Sequence, residues 1–119
     1  MGKGHHIIID CSNADFKMCM DDKKMLNIIS ESAEQAGATV ISTVRYKFGG
    51  ESPPGFACLV MLDESHCSAH SYANEGLIAF DIFTCGKTDP EYVWFLIKEK
   101  LKFDDKVNIE IRKLDRFVI

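Results

Sequence analysis

The chain has 119 residues, 46% of them hydrophobic and 27% charged, with a formal net charge of −4. That length supports one compact domain over residues 1–119 with a single core, and the interspersed, mildly acidic charge lacks the basic stripe that a phosphate backbone requires, which argues against nucleic acid as a partner. The opening residues carry no apolar signal segment, and the most apolar run, Phe56 to Leu62, is too short to span a bilayer, so a soluble, cytoplasmic protein with no membrane partner is expected.

Along the chain, His6 to Asp10 is a short apolar run that predicts a first strand. Asp21 and Asp22 offer an N-cap, and Met25, Leu26, Ile29, Ala33 and Ala36 recur at helical spacing until Gly37 closes the helix. Val40, Val44, Tyr46 and Phe48 share one face of a second strand, opposite Thr43, Arg45 and Lys47. The stretch from Gly49 to Gly55, with Pro53 and Pro54, is a loop.

Phe56 to Leu62 predicts a strand buried on both faces, and Leu77 to Thr84 another. Asp89, Pro90 and Glu91 supply a cap, a proline at the first helical position and an acid in the first turn. Val93, Ile97 and Leu101 form the buried stripe of that helix. Val107, Ile109 and Ile111 alternate with Asn108, Glu110 and Arg112, giving a last strand with one wet face. The order β-α-β-β-β-α-β, with strands adjacent in sequence, predicts an α+β two-layer sandwich: a mainly antiparallel sheet with helices on one face. A sheet covered on one side favours association, so a homodimer is expected.

Chemistry-bearing side chains concentrate between Asp63 and Gly86, where Ser65, His66, Cys67, Ser68, His70 and Cys85 surround one strand-loop-strand unit. The five cysteines (11, 19, 58, 67 and 85) show no zinc-ribbon spacing, and the default for each is a buried thiol. His66 and His70 have the spacing of two metal ligands only if the segment is helical, and the β-rich flanks disfavour that; no metal site is expected. Ser65 with His70 could form a nucleophile and base, but no nucleophile-elbow glycines surround the serine. Ordinary polar residues in a turn remain a third possibility.

Glu64-Ser65-His66, then His70, then Asp81-Ile82-Phe83-Thr84-Cys85-Gly86 resemble the processing-site signature of the pyruvoyl-dependent S-adenosylmethionine decarboxylases of the small bacterial and archaeal type. Gly4-His5-His6 is similar to that family's opening, and Ala36-Gly37-Ala38-Thr39 to its Ser-Gly-Ala turn. The resemblance implies self-cleavage between Glu64 and Ser65, giving chains 1–64 and 65–119, with Ser65 becoming a pyruvoyl cofactor that forms a Schiff base with the substrate amine. It implies that His70 assists processing and that Cys85 protonates the product carbon, a task suited to a thiol, whose pKa moves readily with environment. It further implies decarboxylation of a small-molecule substrate, S-adenosylmethionine, for polyamine (spermidine) synthesis, by a homodimer of processed protomers with active sites near the interface.

The sequence departs from the family pattern at three places. Tyr72 keeps an aromatic residue for stacking adenine, with Phe48 as the second, but Asn74 stands where a glutamate grips the ribose, and Glu75 lies one residue further on. Ala57-Cys58 replaces a Ser-Gly pair whose serine assists processing, and the Gly49–Gly55 loop is longer than usual. Two alternatives therefore stay open: the same chemistry on arginine or ornithine, and an unprocessed, non-catalytic paralogue.

Overall fold

The computed structural model describes residues 3–63 and 65–117. Six strands form one sheet: β1 (Gly4–Ser12), β2 (Val40–Phe48), β3 (Gly55–Leu62), β4 (His66–Tyr72), β5 (Leu77–Cys85) and β6 (Asn108–Arg116). Their spatial order is β2-β3-β4-β5-β1-β6, with every neighbouring pair antiparallel. The chain thus runs β2 to β5 as a meander, and β1 fills the place between β5 and β6. Three helices accompany the sheet: α1 (Phe16–Met20), α2 (Asp22–Gln35) and α3 (Pro90–Leu101).

The helices begin where the sequence places caps. The Asp21 side chain accepts from the Lys24 N–H at 3.1 Å, and Asp89 accepts from the Glu91 N–H at 2.9 Å. Gly37, with φ of 99°, turns the chain out of α2. Both long helices lie on one face of the sheet, α2 over β2 and β3, α3 over β5 and β1. Between the layers Ile7, Ile9, Phe56, Val60, Phe80 and Ile82 meet Met25, Ile29, Val93 and Ile97, all buried. Burying each large apolar side chain is worth about 1.5–3 kcal/mol over leaving it exposed, so the apolar stripes fix which face of the sheet the helices cover.

Three expectations need correction. Residues 66–72 form a strand and not a loop, so the sheet has six strands where five were expected. That strand carries His66, Ser68 and His70 on one face and the small Cys67, Ala69 and Ser71 on the other, so it lacks a strong apolar alternation. Its pairing on both sides supplies what its side chains do not. A short extra helix, α1, precedes α2.

Phe56 to Leu62 is buried on one face only: Leu59 and Met61 are 43% and 47% exposed on the side away from the helices. Val44, Tyr46 and Leu114 share that open face with them and are likewise exposed. A register shift between Val40 and Ser42 leaves Val40 packed against the core and off the face of Val44 and Tyr46, and beyond it the polar residues of β2 point toward the helix layer. There the Arg45 guanidinium donates to the buried Asp22 carboxylate at 2.7 Å. Burial alone would push the Asp22 carboxyl up, but the Arg45 hydrogen bond and charge, with backbone N–H groups at the start of α2, hold it below the usual range.

Candidate active site

β4 begins, β5 ends and β1 begins at the same end of the sheet. A cavity of about 340 Å3 opens there, lined by Leu62, Ser65, Thr84, Cys85 and Lys87 and by the turn 37–39 after α2. Backbone bonds shape its rim. The Leu62 N–H donates to the Ser65 carbonyl at 2.8 Å, closing the β3–β4 turn, and the Asp63 N–H donates to the Thr39 carbonyl at 2.9 Å, tying that turn to the one after α2. Beyond β5, Thr84 Oγ1 donates to the Thr88 carbonyl at 2.8 Å, which fixes the turn that carries Cys85. Thr84, Thr88 and Lys87 were not singled out from the sequence; Thr84 stands inside the motif that pointed to Cys85.

Ser65 Oγ is buried and has no hydrogen-bond partner among the described residues. A buried hydroxyl left unpaired costs about 1–3 kcal/mol, so this atom is held in a state that packing alone does not favour. Glu64, its predicted cleavage partner, lies outside the described residues. Cys85 differs from the other four cysteines. Burial pushes the thiols of Cys11, Cys58 and Cys67 up to about 12 and that of Cys19 to about 11, so they stay protonated and inert. Cys85 alone is partly exposed, at the cavity.

The remaining predicted residues gather elsewhere. His70 lies five residues beyond Ser65, which along an extended strand is about 17 Å. His66 and His70 fall on one face of β4, not on a helix, about 13 Å apart by the same rise. Neither the serine–histidine pair nor the two-histidine ligand pair therefore closes within one chain. No cluster of three or more His, Cys, Asp or Glu side chains suited to a metal occurs among the described residues.

His70 instead sits in an aromatic stack. The Phe48 ring lies 5.4 Å from its centroid and the Tyr72 ring 4.9 Å, at interplanar angles of 27° and 25°. Phe48 reaches it across β3 because the intervening residues on that face are Gly55 and Ala57. Gly55 admits no side chain, since a Cβ there would fall 2.2 Å from the Ser71 carbonyl oxygen. Asn74 and Glu75 lie exposed in a single 3-10 turn, Ala73–Glu75, directly after Tyr72.

Residues 5–116 match the model of a family described as S-adenosylmethionine decarboxylase. The chain belongs to that family. Among S-adenosylmethionine decarboxylase proenzymes it is 39% identical over 89 residues to that of Brevibacillus brevis, covering 74% of this chain and 65% of the relative. It is 36% identical to the Pyrococcus abyssi proenzyme (83% and 70% covered) and 32% identical to that of Bacillus velezensis (91% and 83%). The chain thus spans just under two thirds of the Brevibacillus protein's length. The crystal structure of the adenosylmethionine decarboxylase from Aquifex aeolicus superposes with a TM-score of 0.82 at 25% identity, covering 99% of this chain and 93% of that one. The α+β sandwich expected from the sequence is therefore the decarboxylase fold. No helix among the described residues is long and apolar enough to cross a membrane.

Proposed function

We propose that this chain is a proenzyme that cleaves itself at Ser65 and then decarboxylates S-adenosylmethionine, supplying aminopropyl groups for spermidine synthesis. The observation that carries the reading is the buried Ser65 hydroxyl, unpartnered among the described residues, at a cavity it shares with Cys85. Attack of that oxygen on the preceding carbonyl forms an ester and breaks the peptide C–N bond. Elimination frees the new carboxylate of residue 64, and hydrolysis of the resulting enamine releases ammonia and leaves a pyruvoyl group at position 65. A partly buried position at the mouth of a cavity fits such a group. When formed, it supplies a ketone that holds the substrate's amine and takes up the electrons left by carbon dioxide. Cys85 then delivers a proton to the carbon that lost the carboxylate.

The separation of His70 from Ser65 supports a homodimer with shared sites. The open face of the sheet exposes Val44, Tyr46, Leu59, Met61 and Leu114, which a second sheet packed about 10 Å away would cover. In this dimer the His70, Phe48 and Tyr72 cluster of one protomer meets the Ser65 and Cys85 end of its partner, a contact that two-fold symmetry repeats. One His70 then serves the other chain's serine, and the two aromatic rings serve the adenine there.

Asn74 favours a second reading, in which the same chemistry acts on arginine or ornithine, because it has no charge to offer a ribose. The test is release of labelled carbon dioxide from S-adenosylmethionine, arginine and ornithine, in the natural protein and in Asn74→Glu. Release from S-adenosylmethionine is expected, with a lower KM in Asn74→Glu, since a charge-assisted hydrogen bond is worth about 1.5–3 kcal/mol. Release from arginine or ornithine alone would overturn the first reading in favour of the second.

A further inference from the structure

Lys87 is the one cation among the described residues that line the cavity shared by Ser65 and Cys85. The turn after β5 puts it there. Gly86, with φ of 81°, takes the left-handed conformation that reverses the chain just past Cys85. The Thr84 hydroxyl donates to the Thr88 carbonyl at 2.8 Å, so residues 84 and 88 close a short loop that holds Cys85 and Lys87 between them. Lys87 is exposed, and its stem can swing without losing packing. Its ammonium forms no ion pair with any carboxylate among the described residues.

The β3–β4 turn brings the opposite sign to the same cavity. Asp63 is among its lining residues, and the Asp63 N–H bond to the Thr39 carbonyl, at 2.9 Å, fixes that turn against residue 39. Asp63 likewise has no ion-pair partner among the described residues. Self-cleavage between residues 64 and 65 would add a second anion beside it, the new chain-terminal carboxylate. Charge in the cavity therefore runs from negative at the β3–β4 turn to positive at the turn after β5.

We propose that Lys87 binds the carboxylate of the amino-acid substrate. The proposal rests on the decarboxylase reading above. In such a substrate the carboxylate is two bonds from the amine, so an amine held at position 65 brings the carboxylate into this cavity. A round cavity of about 340 Å3 is about 9 Å across, and the flexible four-carbon stem of a lysine reaches well into it. The anions at the β3–β4 turn repel the carboxylate and Lys87 attracts it, which turns the bond that breaks toward the loop carrying Cys85. Loss of carbon dioxide removes the charge that Lys87 holds, so the product is bound less tightly than the substrate.

The test compares two ligands that differ only by that carboxylate, S-adenosylmethionine and its decarboxylated product, in full-length processed protein. In Lys87→Met the KM for S-adenosylmethionine should rise about five- to twentyfold with kcat within about threefold, while equilibrium dialysis finds the decarboxylated product bound within about twofold of its natural affinity. Lys87→Arg keeps the cation and should hold the KM within about threefold of the natural value. An unchanged KM in Lys87→Met, or a loss in Lys87→Arg as large as in Lys87→Met, would overturn the proposal. Equal losses for both ligands would also overturn it, by giving Lys87 to the new carboxylate of residue 64. Intact mass and carbon dioxide release from the natural protein judge the decarboxylase reading separately, in the same preparations.

Discussion

Ala57 stands directly opposite His70 on the neighbouring strand, with its methyl group where a serine hydroxyl would face the imidazole. This is the position where the family resemblance puts a processing serine, and the register sets it beside His70. Ala57→Ser should therefore speed self-cleavage by about two- to tenfold, the worth of one net hydrogen bond. The measurement is the rate of chain splitting by denaturing gel. An unchanged rate would mean that another group already serves His70.

The distance of about 17 Å between Ser65, which just precedes β4, and His70 within it makes the shared site testable by mixing. Ser65→Ala and His70→Ala chains, each expected to stay uncleaved alone, should complement when co-expressed. In the mixed dimer one site regains both groups, so the His70→Ala chain should be cleaved and the Ser65→Ala chain should not. Sites built within single chains predict no cleavage in the mixture.

Cys85→Ala should still cleave itself, because protonation of the product belongs to turnover and not to maturation. Its activity should fall on the order of 10²–10⁴-fold, the usual contribution of a positioned general acid. Substitution of the buried Cys11 or Cys67 by Ala should leave turnover per processed chain near the natural value. Full activity in Cys85→Ala would reduce the thiol to a packing residue.

Much of this arrangement could be read from the residues alone, and the parts that could not have identifiable reasons. The caps at Asp21 and Asp89 and the stripes of α2 and α3 are local patterns, and they appear as expected. Ser65 and Cys85 were linked by motif before the cavity joined them. β4 was missed because its side chains alternate between polar and small, and only pairing on both sides makes it a strand. That error hid the main geometric fact about the site: five residues in a loop can fold back on themselves, but five in a strand cannot. The pairing of Arg45 with Asp22 and the reach of Arg116 over Phe83 depend on which strands are neighbours, which composition and period do not encode.

If Ser65 is the precursor of the cofactor, intact mass under denaturing conditions will show it. The natural protein should resolve into residues 1–64 and a chain 65–119 whose N-terminus is blocked by a pyruvoyl group, while Ser65→Ala should give only the 119-residue chain. Natural protein that remains one uncleaved chain after prolonged incubation would rule out Ser65 as a cofactor precursor and favour the non-catalytic paralogue.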